Sequence, residues 1–292
     1  MIGPQTARLP DGRLHLQHGP IDLVIEAFGG VEEVARAYAQ ATDRFADILP
    51  ALVRELPVLR RPVGDAYPLL QGPVARRMAE AAWPHRAVYI TPMAAVAGSV
   101  ADEMLAAMVR GRTLDKAYVN NGGDIAFHLA SGHSLRAGIF VSALDGAVTL
   151  THDQPVRGIA TSGWVGRSFS LGIADAVTVL AVNAAAADAA ATVVANAVNA
   201  DHPAIERQPA SALNPDSDLG DLLVTTAVGD LPADLVARAL DQGAAEARRL
   251  RLGGLIDGAA LSLKDEWRID IEKVVSSGYQ KLVQRRLEVA YE

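Results

Sequence analysis

Hydrophobic residues recur at two different spacings along the chain of 292 residues. Apolar alternation in 14–17 and 21–27, on either side of a Gly-Pro turn, predicts an opening β-hairpin. Helical spacing predicts a helix over 31–56, which Pro50 breaks or kinks. The same kind of reasoning predicts further helices at 73–82, 96–109, 184–198 and 231–250.

Most of the remaining apolar positions form short runs that predict strands, separated by turns that carry Gly, Ser or Asp. These strands are predicted at 87–91, 116–120, 125–129, 135–141, 147–150, 156–161, 176–182, 259–263 and 267–271. The polar, proline-containing stretch 201–221 predicts a surface loop or a mobile segment. Because strands and helices come in runs and do not alternate regularly, we predict an α+β fold with a mixed or antiparallel sheet packed with helices.

The length allows one elaborated domain or two small ones. We predict a single domain over 1–292, with its core at about 87–198. The last segment, 274–292, has mixed charge and is predicted to be a tail or a partner helix, which would suit a homo-oligomer.

Composition narrows the functional classes. The formal net charge is −7 and the basic clusters are small, so we interpret them as solvated helix ends and expect no nucleic-acid partner. The absence of cysteine excludes disulfides, thiolate metal sites and a cysteine nucleophile. The first residues lack an apolar signal-peptide core, and no uninterrupted apolar run approaches the about 20 residues of a membrane span. The sequence therefore predicts a cytoplasmic protein without a membrane partner.

The first candidate for chemistry is the segment Asn120-Asn121-Gly122-Gly123-Asp124. Two glycines directly after a predicted strand let the backbone approach a ligand and turn its amides toward it. The flanking amides and the carboxylate add polar groups at the same bend. An ordinary Asn-Gly hairpin turn explains the pattern equally well.

The second candidate is Thr161-Ser162-Gly163, a strand end with two hydroxyls that is followed by Arg167. Hydroxyls, free backbone amides and an arginine are the groups that bind a phosphate or carboxylate. The competing interpretation is a common Ser-Gly turn with no ligand.

The third candidate is the pair Asp188 and Thr192 on the predicted alanine-rich helix. A spacing of four residues places both side chains on one helix face. Both are hard oxygen donors, which suits Mg²⁺ with phosphate oxygens or water in the remaining positions. Alternatively, Asp188 only favours the helix dipole and Thr192 is only buried.

A weaker fourth candidate is the small-residue turn over 91–99, followed by Asp102 and Glu103, where a helix N-terminus could receive an anion. The seven histidines show no recognisable metal spacing.

Taken in order, the segments 90–102, 118–125, 158–163 and 176–192 resemble the ApbE family of FAD:protein FMN transferases, and more closely its short branch. VNNGGDI, IATSGW and ADAAAT carry the resemblance, which spans about 87–198. It implies a T-fold-like α+β core and a flavin dinucleotide site with Mg²⁺ at the pyrophosphate, from which FMN passes to a protein hydroxyl. By this resemblance Gly122, Gly123 and Asp124 line the nucleotide site. Thr161, Ser162 and Gly163 lie at its edge, and Asp188 and Thr192 bind the metal.

The sequence departs from the ApbE pattern at two places. Ala97-Gly98-Ser99 stands where ApbE proteins usually have Lys-Gly, and 167–175 is compact and lacks the histidine of their longer loop. Three functions therefore stay open. The first is a Mg²⁺-dependent protein that acts on FAD or a related nucleotide. The second is a pterin- or flavin-binding protein of tetrahydromethanopterin-type one-carbon metabolism without FMN transfer. The third is a structural role that uses the terminal tail.

Overall fold

The centre of the molecule, seen in a computed structural model that describes residues 3–141 and 144–271, is a nine-stranded sheet. Its strands in spatial order are β1 (Gln5–Arg8), β2 (Leu14–His18), β3 (Ile21–Gly29), β4 (Leu114–Asn121), β5 (Asp124–Leu129), β8 (Gly158–Ser162), β9 (Ala176–Ala181), β12 (Gly258–Leu263) and β13 (Glu266–Ile271). Every neighbouring pair in this sheet is antiparallel. The predicted α+β class is therefore confirmed, with an antiparallel and not a mixed sheet.

Two further strand pairs and six α-helices complete the described chain. The pairs are β6 (Ser134–Val141) with β7 (Leu144–Thr151), and β10 (Ile205–Pro209) with β11 (Leu223–Val228). The helices are α1 (Val31–Leu59), α2 (Pro73–Ala82), α3 (Val96–Val109), α4 (Ala184–Ala197), α5 (Ala210–Leu213) and α6 (Ala233–Leu252), and short 3-10 turns lie at Trp83–His85 and Pro92–Ala95.

The two faces of the sheet are covered differently. On one face, here called the helix face, α1 and α3 pack on β2 to β5, while α4 and α6 pack on β8, β9 and β12. On the opposite face, Phe127, Ile159 and Leu180 pack against side chains of the β6–β7 pair. Alternate residues of β5, β8 and β9 therefore point toward the helices or toward this hairpin.

The helix predicted over 31–56 is neither broken nor ended by Pro50, because α1 continues to Leu59. A proline removes one backbone donor and so leaves one carbonyl of the preceding turn without its partner. Ala46, four residues earlier, is exposed, so water can satisfy that carbonyl. Phe45, Ile48 and other residues on the buried face hold the helix against the sheet.

Two other predictions are wrong. The stretch 87–91 forms turns and irregular backbone, because none of the strands within 3–141 and 144–271 pairs with it and Val88 and Tyr89 are exposed. The stretch 201–221 is not one loop, because β10 pairs with β11 across it, with a bulge between Glu206 and Arg207. The T-fold-like core, the single-domain reading and the homo-oligomer stay predictions, and the tail 274–292 lies outside the described residues.

Within 3–141 and 144–271, one helical segment, Pro92–Val109, is apolar and long enough to cross a membrane by composition. More than half of it is buried inside the molecule, where α3 packs between α1, α4 and the sheet. Core helices of globular proteins pass the same test, so this segment gives little support for a membrane protein.

Candidate functional site

The first part of the candidate site is the turn between β4 and β5. Asn121 and Asp124 are paired across it, so their side chains project to the same face of the sheet. Gly122 and Gly123 have φ values of 67° and 115°, a region that favours glycine. The side-chain oxygen of Asn120 accepts a hydrogen bond of 2.9 Å from the Gly123 amide and fixes the turn from the opposite face.

Asp124 points to the helix face. Ala126, two residues further along β5, belongs to the apolar cluster that contains residues of α3 and Ala184 of α4. Asn121 is tied to the same side, because its side-chain amide donates a 3.1 Å hydrogen bond to the Ala97 carbonyl at the start of α3. The turn therefore presents a carboxylate and an amide oxygen where α3 and α4 meet the sheet.

Asp188 lies in the second turn of α4, and its carboxylate is directed at the N-terminus of α3. It accepts a 2.9 Å hydrogen bond from the Gly98 amide, and the Ala97 amide also donates to it. The reverse contact comes from Asp102 of α3, whose carboxylate accepts hydrogen bonds from the Ala184 and Ala185 amides at 3.0 and 2.9 Å. Each helix thus supplies the carboxylate that satisfies the free amides of the other.

This exchange requires the two helices to be very close. A Cβ atom added to Gly98 would lie 2.2 Å from the Ala184 carbonyl oxygen, which no side chain can tolerate. The alanines of α4 allow the same close approach on its other sides, where Ala187, Ala190 and Ala191 are fully buried. The small side chains of this helix therefore set the depth at which Asp188 sits.

Asp124 and Asp188 interact electrostatically. Burial raises the pKa of Asp124 to about 7, although the Thr161 amide donates to it. Burial also raises the pKa of Asp188 well above its ordinary value, and the nearby charges of Asp124 and Asp102 add to the effect. Both residues keep some exposed surface, while surrounding protein atoms desolvate their carboxyl groups. Two neighbouring carboxyl groups that resist ionisation form a site where a bound cation would stabilise their ionised form.

Thr161 and Ser162 point to opposite faces of the sheet. The backbone amide of Thr161 donates a 3.2 Å hydrogen bond to Asp124. The side-chain hydroxyl of Thr161 instead lies 2.9 Å from the hydroxyl of Thr178. Ile159, on the same face as Thr161, packs in the cluster of the β6–β7 pair, whereas Ala160 packs with α4. By alternation the side chain of Ser162, like that of Ala160, is on the helix face with Asp124.

Thr192 is one turn further along α4 than Asp188. The helix begins beside β8, since a Cβ atom on Gly158 would lie 2.0 Å from the carbonyl carbon of Asn183. From there α4 packs along β8 and β9. Nine helical residues span about 13.5 Å and four strand residues span about 13 Å, so Thr192 and Ser162 lie at similar distances from this contact along their own elements.

The fourth sequence candidate is already occupied by internal contacts. The Thr91 hydroxyl accepts from the Met93 amide and donates to the carboxylate of Asp218, and the Gly98 amide donates to Asp188. The Glu103 carboxylate forms ion pairs with Arg44 of α1 and Arg77 of α2, with N–O distances of 2.8 and 3.0 Å. These groups position α3 and leave its N-terminus closed to an external anion.

The residues present fit a hard cation. Within 3–141 and 144–271 there is no cluster of three or more His, Cys, Asp or Glu side chains that could hold a metal ion. Mg²⁺ commonly uses only one or two protein carboxylates and keeps water or phosphate oxygens in its other positions. Asp124 and Asp188 match that requirement.

Sequence reasoning did not foresee two features of the site. Asp102 stood out only as a neighbour of a helix start, and its bond to α4 depends on packing that no local pattern encodes. Arg167 was recognised only as following the Ser-Gly turn, while in the structure its guanidinium reaches Gly122, 3.3 Å from where a Cβ atom would be. The only sequence signal for this contact was the order of the two motifs.

The fold and the site define an α+β protein with a pair of partly desolvated carboxylates where two helix N-termini meet the sheet. Comparison with family models matches residues 6–269 to the family described as AbpE bacteria. The chain belongs to this ApbE-related family.

Similar proteins occur in archaea. The UPF0280 protein of Methanothrix thermoacetophila is 36% identical over 156 residues, which are 52% of this chain and 62% of that protein. That of Methanothermobacter thermautotrophicus is 39% identical over 133 residues, or 44% and 50% of the two chains. That of Methanopyrus kandleri is 32% identical over 206 residues, or 70% and 78%. The first two alignments thus span less than two thirds of the relatives' own length.

Two solved structures are more distantly similar. The ApbE protein of Thermotoga maritima is 15% identical with a TM-score of 0.36, over 85% of this chain and 77% of that chain. A variant of the flavin transferase ApbE from Vibrio cholerae is 16% identical with a TM-score of 0.34, over 87% and 78%. Both similarities are too low for a residue-by-residue comparison of the sites.

Proposed function

We propose that this protein binds a flavin nucleotide together with Mg²⁺, and that the cation is held between Asp124 and Asp188. The observation that carries the proposal is the pairing of these two carboxylates, each with a raised pKa, on the helix face of the sheet. Burial of two like charges is costly without a compensating cation. Membership in an ApbE-related family supports a flavin as the organic ligand.

The protein donors leave room for such a ligand. One oxygen of Asp188 accepts the Gly98 amide, and one oxygen of Asp124 accepts the Thr161 amide. The Ala97 amide also donates to Asp188. An ionised carboxyl group has about four lone-pair positions, so both carboxylates keep acceptor capacity for a cation. When bound, Mg²⁺ would neutralise negative charge on the pyrophosphate and polarise it.

The turn at Gly122 and Gly123 would form the wall next to the phosphates. A Cβ atom on Gly123 would meet no atom within 4 Å, so the space above this residue is open. Its φ of 115° excludes most side chains and keeps the space open. A backbone without side chains allows close approach of a charged group, which is the use that dinucleotide sites make of glycine.

FMN transfer is the reaction that such a complex could support. The hydroxyl oxygen of an acceptor Ser or Thr would attack the phosphorus of the FMN half of FAD. A new P–O bond forms, the P–O bond to the AMP half breaks, and AMP leaves while the hydroxyl proton passes to a base. The acceptor would come from another protein.

Binding without transfer is the second candidate, and one observation favours it. The segment 167–175 is compact and contains no histidine. At the place where ApbE proteins usually carry Lys-Gly, the Gly98 amide is already hydrogen-bonded to Asp188. A protein of this kind could hold a flavin or a pterin as ligand in one-carbon metabolism. Localisation in the cytoplasm stays a prediction.

The test is a calorimetric titration with FAD, with Mg²⁺ and with EDTA, on the wild type, Asp188→Asn and the control Asp47→Asn. Asp47 is exposed on α1 and belongs to no part of the site. We expect FAD binding that needs Mg²⁺ in the wild type and the control, and that is lost in Asp188→Asn. No heat with FAD in the wild type under either condition would overturn the proposal, and reduced pterins would be the next titrants. Release of AMP with a flavin-labelled acceptor would distinguish transfer from binding alone.

A further inference from the structure

The loop between β8 and β9 is held rigidly on both sides of Arg167. On its N-terminal side, the Trp164 amide donates to the Ala174 carbonyl at 2.9 Å, and the indole donates to Asp175 at 2.8 Å. On its C-terminal side, the Leu171 amide donates to the side chain of Asn196 in α4 at 2.9 Å. A loop fixed at both ends presents its central side chain without a large loss of backbone entropy on binding.

Arg167 lies at the open side of the candidate site. Its guanidinium nitrogen Nη1 is 3.3 Å from the position of a Cβ atom on Gly122, so it stands against the glycine turn. The residue is exposed, and within 3–141 and 144–271 its side chain forms no hydrogen bond or ion pair. In particular, it forms no ion pair with the neighbouring Asp124. An exposed guanidinium beside the glycine turn, without an internal partner among the described residues, is available to an anionic ligand.

We propose that Arg167 is the residue with which this site selects ligands that carry phosphate. The guanidinium would bind phosphate oxygens in the open space above Gly123, beside the carboxylate pair. This inference rests on the proposed function, and it adds the part of the ligand that is recognised: the phosphate groups and not the ring.

The chemistry of arginine supports this assignment. Its planar group donates two parallel hydrogen bonds to a phosphate, whereas lysine offers a point charge. A diphosphate between Arg167 and a cation at Asp124 and Asp188 would have positive charge on both sides. A flat ring without phosphate would use neither group, so a ligand such as riboflavin gains nothing from Arg167.

The experiment compares three titrants, each with Mg²⁺: inorganic pyrophosphate, FAD and riboflavin. The proteins are the wild type, Arg167→Gln, Arg167→Lys and the control Arg110→Gln. Arg110 is an exposed arginine just beyond the C-terminus of α3, at the other end of that helix from Gly98. Circular dichroism and thermal unfolding of each variant establish that the fold is retained.

We expect Arg167→Gln to weaken pyrophosphate and FAD binding about 10- to 100-fold, which is the usual effect of losing hydrogen bonds to a charged group. Arg167→Lys should recover part of the loss, riboflavin binding should not change, and Arg110→Gln should match the wild type. Wild-type affinity for pyrophosphate and FAD in Arg167→Gln would overturn the inference and leave the proposed function intact. Pyrophosphate binding that depends on Arg167, in a protein that binds no flavin, would support the inference and reject the flavin. Binding of none of the three titrants by the wild type would overturn both.

Discussion

Asp188→Asn tests the proposed metal site with the least disturbance of the fold. Asparagine has nearly the same shape, and its side-chain oxygen can still accept the Gly98 amide that Asp188 accepts at 2.9 Å. The substitution removes the negative charge and one of the two oxygens available to the Gly98 and Ala97 amides. We therefore expect opposite effects on stability in the absence and in the presence of Mg²⁺.

Without metal, the variant should be more stable than the wild type. Burial raises the pKa of Asp188 well above its ordinary value, and the nearby charges of Asp124 and Asp102 add to the effect. A rise of one pKa unit in the folded state costs about 1.36 kcal/mol once the unfolded carboxyl group ionises, and a neutral Asn avoids this cost. We expect a gain of about 1–2 kcal/mol, or about 2–8 °C in Tm for a protein of this size.

The pH dependence follows from the direction of the shift. A carboxyl group with a raised folded-state pKa stabilises the fold fully below its unfolded value of 3.8, and that contribution is lost as pH rises through the folded-state pKa, which for Asp188 lies well above 3.8. The advantage of Asp188→Asn should therefore be absent near pH 4 and increase as pH rises above it.

With metal, the order should reverse. Mg²⁺ at about 100 times its Kd stabilises the wild type by about 2.7 kcal/mol, or about 5–10 °C, and should not stabilise the variant. The assay is thermal unfolding at pH 8 in EDTA and in a series of Mg²⁺ concentrations, with Asp47→Asn as the control. The reasoning is refuted if Asp188→Asn and the wild type show the same Mg²⁺-dependent increase in Tm, or if the variant is the less stable protein in EDTA.

Three further predictions concern the frame of the site. Burial, and to a smaller extent the charge of Arg249, lowers the pKa of His85 from 6.5 to about 4. About 3 kcal/mol of stability present above pH 6.5 should therefore be lost as pH falls toward 4. In urea unfolding, the stability of His85→Leu should depend less on pH between 4 and 6.5 than that of the wild type, and an equal pH dependence would contradict the prediction. Gly98→Ala should cost about 1–3 kcal/mol or more by forcing α3 and α4 apart, whereas Gly64→Ala, with open space around it, should be neutral; equal midpoints in urea would rule out the close helix contact. Glu103→Gln should cost about 1.5–3 kcal/mol in the same assay, because it leaves two arginines without their buried carboxylate; a loss below 0.5 kcal/mol would place this ion pair among the weak surface pairs.

The sequence determined the elements whose signals are local. The hairpin at the N-terminus, helix α2 with its proline start and the alanine-rich α4 all lie where their periodicity and turn residues predict them. The order of motifs also gave the ApbE-related family, which the comparison over 6–269 confirms. These features depend on neighbours within a few residues, and such information is present in the chain itself.

Tertiary structure decided what depends on partners distant in the chain. The five-residue stretch 87–91 is a short run of strand-favouring residues, but no strand in the described part of the chain pairs with it. In contrast, β10 forms inside a polar stretch because β11 pairs with it. Strand pairing supplies the hydrogen bonds that a short strand cannot form alone. Local propensity is too weak to decide such cases.

The same holds for the candidate site. The motif Thr161-Ser162 did not reveal which hydroxyl faces the helices; strand register and packing assign Thr161 to Thr178 and the opposite face. Asp188 was correctly placed on a helix, but its direction toward Gly98 follows from the close crossing of α3 and α4. Sequence spacing fixes neighbours along one element, while only packing brings carboxylates from a strand and a helix together and desolvates them.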